Sequence, residues 1–268
     1  ELIIEANTAY LSARHNGLFV IDFSNPADPQ VIANTDGYGW AAATVISGQT
    51  AYVSHSLDGL LAIDISDPYD AGPELMGALS SNGETRDADI SGETAYVADW
   101  TGGFRIADVS DPFNPEELSS IDMQAWRVAV GDNNFVHVTE ANPNNPDTLW
   151  VIDVSDPVNP QVEGSYTFPG SVQKLKYQNG YLYAAGWDDG LQIIDVSDPS
   201  NPAEAAVVDL PSILDVWLQG SLAYAASSDW DGGFVTIDIS DPENPEILQI
   251  YNPSGWFHPF TVSVSGSY

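Results

Sequence analysis

The chain is a succession of short runs in which apolar and polar positions alternate, each closed by Gly, Asn, Asp or Pro. Alternation with a period of two marks a half-buried β-strand, whereas an amphipathic helix spaces its apolar residues three and four apart. No stretch keeps the helical spacing for three turns. Segments such as TVISGQTAYVS, ADISGETAYVA, LKYQNGYLYAA and VWLQGSLAYAA carry two alternating runs around a Gly or Asn turn, which predicts a hairpin. A third run then ends in Asp and a proline-rich turn, and a fourth follows, as in PQVIANT and PEILQIY. The pattern predicts a four-stranded antiparallel unit, with strands A to D in chain order.

The third run is one phrase written six times: LFVIDFSNPADP, LLAIDISDPYDAGP, FRIADVSDPFNP, LWVIDVSDPVNP, LQIIDVSDPSNP and FVTIDISDPENP. Its aspartates, Asp22, Asp64, Asp108, Asp153, Asp195 and Asp238, recur every 42 to 45 residues, and the turns that follow hold Pro26 and Pro29 through to Pro242 and Pro245. Four strands in a repeat of this length predict an all-β fold, a β-propeller. Six repeats over residues 1–268 make one six-bladed propeller, with a seven-bladed ring or a fragment of a longer one as the alternatives. A parallel α/β architecture would need helices between the strands.

The phrase resembles the LVIVD repeat family through residues 18–22, 60–64, 104–108, 149–153, 191–195 and 234–238. The resemblance covers nearly the whole chain and implies a propeller, but the family carries little assigned chemistry. Departures are small: Asn25 stands for the first turn aspartate, Ala107 for an isoleucine, and one proline pair is spread to Pro68 and Pro73.

The strand inventory contains a surplus. The chain opens with an A-type strand, Leu2, Ile3 and Ile4, and closes with another over 260–264, with Phe260, Val262 and Val264 as its apolar positions. Seven inner strands then serve six sets of B, C and D. An extra C-terminal inner strand either closes the ring on residues 8–12, displacing residues 2–4, or joins another copy of the protein.

Charge narrows the function. Six Lys and Arg stand against 39 Asp and Glu, a formal net charge of −33, which argues against nucleic acid and against anionic membrane surfaces. No run is long and apolar enough to insert into a membrane. Cysteine is absent, so disulfides and thiolate sites are excluded. The start at Glu1 points to a removed leader or a longer precursor, and the carboxylate excess suits a secreted or cell-surface, salty setting.

Candidate chemistry divides between the two ends of the blades. At the C–D end, Asp67, Asp111, Asp156, Asp198 and Asp241 offer oxygen ligands for Ca²⁺, but each is also placed to cap its own turn. At the B–C end, Trp100, Trp187 and Trp230 fall in hairpins and Trp40, Trp126 and Trp256 in D–A connections, together with Arg14, Arg86, Arg127 and the strand residues Lys174 and Lys176. Exposed indoles suit sugar rings or a protein partner, and the alternative is that they wedge between blades. Trp40, Trp100, Trp126, Trp187, Trp230, Trp256, Arg86 and Arg127 are the candidate ligand-binding residues.

His15, His55 and His258 map to the same end without any metal-binding spacing, and His137 reads as a packed residue. Residues 140–148 lengthen the fourth B–C hairpin into a polar, proline-rich projection. No nucleophile elbow, phosphate loop or zinc signature is present, so no catalytic residue, cofactor or metal is assigned. The sequence therefore reads as a non-enzymatic extracellular propeller, a surface scaffold or filament-type assembly subunit whose partners are other copies of itself, cell-surface proteins or glycans. A carbohydrate-binding module and an acidic-channel hydrolase are the alternatives.

Overall fold

Within the six repeats each alternating run becomes a strand hydrogen-bonded to its neighbour in sequence. A computed structural model of the chain describes residues 1–35, 40–67, 69, 72–141, 146–229, 232–252 and 258–265. Blade 1 contains β1 (Leu2–Glu5), β2 (Thr8–Ser12), β3 (Leu18–Asp22) and β4 (Gln30–Thr35). Blade 2 contains β5 (Ala41–Ser47), β6 (Thr50–His55), β7 (Gly59–Asp64) and β8 (Glu74–Leu79). Blade 3 runs through β9 (Asp87–Ser91), β10 (Thr94–Ala98), β11 (Phe104–Asp108) and β12 (Glu116–Ile121). Blade 4 is β13 (Ala125–Val130), β14 (Phe135–Glu140), β15 (Thr148–Asp153) and β16 (Gln161–Thr167). Blade 5 is β17 (Lys174–Gln178), β18 (Tyr181–Ala185), β19 (Leu191–Asp195) and β20 (Ala203–Val208). Blade 6 is β21 (Ile213–Gln219), β22 (Leu222–Ser227), β23 (Gly233–Asp238) and β24 (Glu246–Tyr251). In every sheet the spatial order equals the chain order, and the fold is a six-bladed β-propeller.

The chain packs as two compact units, largely 1–128 with 156–160 and 129–155 with 161–264. Within each unit the core lies between adjacent blades. Because side chains alternate along a strand, Ala51 and Val53 of β6 enter a cluster with Tyr10, Leu18 and Val20 of blade 1, while Tyr52 enters one with Ala95, Val97 and Val109 of blade 3. The Tyr52 hydroxyl donates to the Val109 carbonyl at 3.3 Å. The second unit repeats the scheme, with Tyr183 and Ile193 packed on Val216, Ala223 and Ile237. Middle strands are thus buried on both faces, and the fourth strands lie at the edge; all six residues of β24 are exposed.

Each fourth strand carries a bulge at the same place. The register against the third strand slips between Val20 and Ile21, Ala62 and Ile63, Ile106 and Ala107, Val151 and Ile152, Ile193 and Ile194, and Thr236 and Ile237. One extra residue bends the strand and increases its local twist. The turns beyond are equally regular. Asp22, Asp64, Asp108, Asp153, Asp195 and Asp238 each accept the backbone N–H of the serine two residues on at 2.8 Å. The second turn aspartates do likewise, and Asn114, Asn159 and Asn244 add side-chain bonds to Asp111, Asp156 and Asp241. The backbone N–H donated by serine holds the Asp22, Asp64 and Asp238 carboxyls below the usual carboxylate range.

The chain ends depart from the sequence expectation. Residues 2–4 are not displaced: Leu2, Ile3 and Ile4 pair with Leu11, Tyr10 and Ala9 as the inner strand of blade 1. Residues 260–264 form no strand, so the extra C-terminal inner strand is absent as a paired element. Blade 1 already holds its four strands, which leaves no β2 edge for Phe260, Val262 or Val264 to join. Asp215 of β21 instead accepts from the Thr261 hydroxyl at 2.6 Å and the Val262 N–H at 3.0 Å.

Candidate functional site

The B–C hairpins of blades 1, 3 and 5 share one backbone device. Arg14, Trp100 and Trp187 adopt positive φ, 52°, 44° and 54°. L-residues resist this conformation at a cost of roughly 1–2 kcal/mol, and here each forms a bridge to the inner strand of the next blade. Arg14 meets Ala41, Trp100 meets Ala125, and Trp187 meets Ile213. The Trp187 bridge is reciprocal, with N–H to carbonyl distances of 3.2 and 3.0 Å. The side chain at the hairpin tip is therefore held by two blades at once.

In blades 3 and 4 this device assembles a cation–indole cluster. The Trp100 and Trp126 rings meet edge to face at 4.9 Å. The Arg86 guanidinium lies 4.9 Å from the Trp126 ring and 5.5 Å from Trp100, and Arg127 lies 4.9 Å from Trp126. Arg86 also makes a close ion pair with Glu84, while its buried Nε has no hydrogen-bond partner among the described residues. A smaller version joins blades 1 and 2, where Trp40 packs on His15 at 5.0 Å and under Arg14 at 4.8 Å. These indoles wedge between neighbouring blades. Such contacts contribute about 0.5–2 kcal/mol each, the larger values where desolvated.

Trp187 differs. Its side chain is 44% exposed, beside Asp188 and Ser212, which are bonded to each other at 3.3 Å. Trp230 and Trp256 lie outside the described residues. Of the strand cations, Lys176 reaches the Trp217 ring at 5.5 Å.

The sequence reading missed the most buried charged group. Asp99, wholly buried at the end of β10, accepts from the Ser81 hydroxyl at 2.6 Å, the Asn82 N–H at 2.8 Å, the Thr85 hydroxyl at 2.8 Å and Arg105 at 3.2 Å. Arg105 also donates to the Ser80 carbonyl and pairs with Glu117. The network pins the connection between blades 2 and 3. The signal was available: Arg105 of FRIAD is the one cation among the six strand phrases, and a buried charge requires a partner.

Blade 4 uses Asp147 similarly. It is 2% exposed, and its carboxylate accepts the Val172 N–H at 2.8 Å while its backbone bonds to Phe168 and Gly170. At the other end of this hairpin, Trp150 Nε1 donates to Glu140 at 3.0 Å. The expected projection over 140–148 is thus anchored at both ends; its tip, 142–145, lies outside the described residues.

The histidines are engaged one by one. His15 packs on Trp40, His55 lies 3.0 Å from Asp58, and His258 Nδ1 lies 2.6 Å from the Ser228 carbonyl. Among the described residues no three His, Asp or Glu side chains converge as a metal site. His137 stacks on Tyr177 at 5.3 Å, and burial pushes its imidazole down to about 4, so it is neutral at physiological pH.

Six four-stranded blades, inter-blade tyrosine packing and Asp-Pro turns define a repeat propeller with one strand phrase per blade. The chain belongs to the LVIVD repeat family, whose model matches residues 2–36, 38–79, 82–123, 124–168, 169–209 and 213–253. No curated protein matches it in sequence. Among solved structures it resembles the computationally designed Ika8 protein (13% identity, TM-score 0.71, 99% of this chain and 77% of that one). It also resembles a chain of the mitotic checkpoint complex (12%, 0.73, 97% and 81%) and the Cps50 (Swd1) β-propeller domain of Myceliophteria thermophila (10%, 0.69, 91% and 83%). These likenesses are of fold.

Proposed function

We propose that the protein is a non-enzymatic extracellular scaffold whose copies assemble through the C-terminal segment. One observation carries the reading: residues 260–264 are surplus to six complete blades, yet they are held as an inner strand would be. The carboxylate of Glu1 accepts the Thr44 N–H of the next blade at 3.1 Å, and that of Asp87 accepts the Val128 N–H at 3.4 Å. Asp215 makes the same bond to Val262, while Phe260 is 68% exposed. A strand-like segment with open edges recruits a strand from another molecule, and a repeated head-to-tail contact of this kind builds filaments.

The net charge of −33 opposes association until salt shortens the Debye length from about 30 Å at 0.01 M to about 3 Å at 1 M. Light scattering at 1 M NaCl should give masses above the 28.8 kDa of one chain, and removal of residues 258–268 should return the particle to the monomer. A 28.8 kDa species at every salt and protein concentration counts against the reading.

Trp187 favours a second reading, a carbohydrate-binding end. A rigid, exposed indole flanked by Asp188, Asp189 and Ser212 offers a stacking face with hydroxyl-binding groups beside it. On a glycan array, Trp187→Ala should weaken binding about tenfold or more, as expected of a central aromatic anchor. Trp217→Phe serves as a control elsewhere in blade 6. Equal binding by wild type and Trp187→Ala removes the tryptophan from this role.

A further inference from the structure

The proline-turn end of blades 5 and 6 contains an open cavity of about 440 Å³, remote from the tryptophan-bearing hairpins. Its walls are Tyr181 and Tyr183 of β18, the hairpin turn at Gln178 and Asn179, the next blade's turn at Gly220 and Ser221, and Ile239, Ser240 and Pro242. The volume falls within the range of about 300–1,000 Å³ usual for small-molecule sites. The Gln178 amide is fixed by donating to the Gly220 carbonyl at 2.9 Å, so one wall is tied to the other.

Tyr181 is an aromatic that blade 5 shares with blade 4, where Phe135 stands at the same position without a hydroxyl. The equivalent first position of the second strand is Thr8, Thr50 and Thr94 in blades 1 to 3 and Leu222 in blade 6. No Lys or Arg lines the cavity. Lys176, paired with Tyr183 across β17 and β18, extends to the Trp217 ring.

We propose that this cavity binds a small organic cation, an alkylammonium or methylammonium group, with Tyr181 as its aromatic wall. Phenol faces attract such cations through their quadrupole, most strongly where water is partly excluded. Burial first, and then the negative field of the turn carboxylates Asp195, Glu243 and Asp241, hold the Tyr181 phenol above its ordinary value. Side-chain oxygens of Gln178, Asn179, Ser221 and Ser240 are acceptors suited to N–H groups. An anion would meet these carboxylates without a compensating cation, and a neutral sugar would gain nothing from them.

The test is a titration of the full chain with tetramethylammonium chloride followed by ¹H–¹⁵N NMR, against NaCl at equal ionic strength and methyl glucoside as the neutral comparator. The expected result is saturable shifts confined to the amides of residues 178–183, 220–221 and 239–241. Tyr181→Leu should weaken binding about tenfold, and Glu243→Gln, which leaves the walls intact, by about twofold. Shifts that rise linearly and spread over the acidic surface overturn the proposal, as do unchanged affinity in Tyr181→Leu or tighter binding of methyl glucoside at these residues. Should Tyr181→Leu fail to fold, localisation of the shifts and the Glu243→Gln comparison decide the matter.

Discussion

Arg105→Ala is expected to lower stability by about 3–5 kcal/mol, because it leaves the Asp99 carboxylate buried without its cation. Asp99 has no exposed surface, and Arg105 is only 3% exposed, so water cannot replace the guanidinium without opening the blade 2–3 connection. For a chain of this size the loss corresponds to a melting temperature lower by on the order of 10 °C. Calorimetry on the single variant checks this. Replacing both partners, Arg105→Met with Asp99→Asn, should recover part of the loss, because the remaining groups still bond to Ser81 and Thr85. A loss below about 1 kcal/mol in Arg105→Ala would mean that the site behaves like an exposed ion pair.

Gly59→Ala should be damaging for a different reason, and Gly48→Ala provides the internal comparison. Both glycines have positive φ, 60° at Gly48 and 94° at Gly59. A Cβ at Gly48 meets nothing within 4 Å, whereas one at Gly59 would lie 1.9 Å from the Leu79 carbonyl oxygen and 2.6 Å from the Ser81 nitrogen. Gly48→Ala therefore carries only the cost of the left-handed backbone, about 1–2 kcal/mol. Gly59→Ala adds the displacement of the outer strand's backbone and should exceed about 3 kcal/mol. Denaturant melts of the two variants give the difference directly; equal losses would refute the role assigned to the close approach. The same crowding recurs at Gly190, where a Cβ would come within 2.3 Å of the Val208 carbonyl, so Gly190→Ala belongs with Gly59→Ala.

The glycine before the third strand was visible as a recurrent letter, in LDGLL, TGGFR and DDGLQ, but its purpose was not. Alternation along a strand states which side chains face inward; it contains nothing about how near a fourth strand's carbonyl comes to a backbone. The tryptophans teach the same lesson. Their mapping to hairpins and D–A connections follows from the repeat, and Trp100 and Trp187 do occupy hairpin tips. Whether an indole faces solvent depended on what lay beside it: Trp126 of the next blade packs on Trp100, and among the described residues no ring packs on Trp187.

What the sequence determined by itself was everything governed by contacts a few residues long. Period-two alternation fixed the strands, Gly and Asn the hairpins, and the six Asp-Ser pairs the turns, since Asp22 to Ser24 and its equivalents bond across two positions. Repetition then required the blades to stack, because no single sheet can bury both of its faces. Tertiary structure alone decided the rest. The partners of Arg105 and the fate of residues 260–264 depend on groups brought together from distant parts of the chain. Ser80 lies 25 residues from Arg105, and Asp215 lies 47 from Val262. A carboxylate carries no local mark of which distant N–H it will satisfy; that choice is made by the packing that removes both from water.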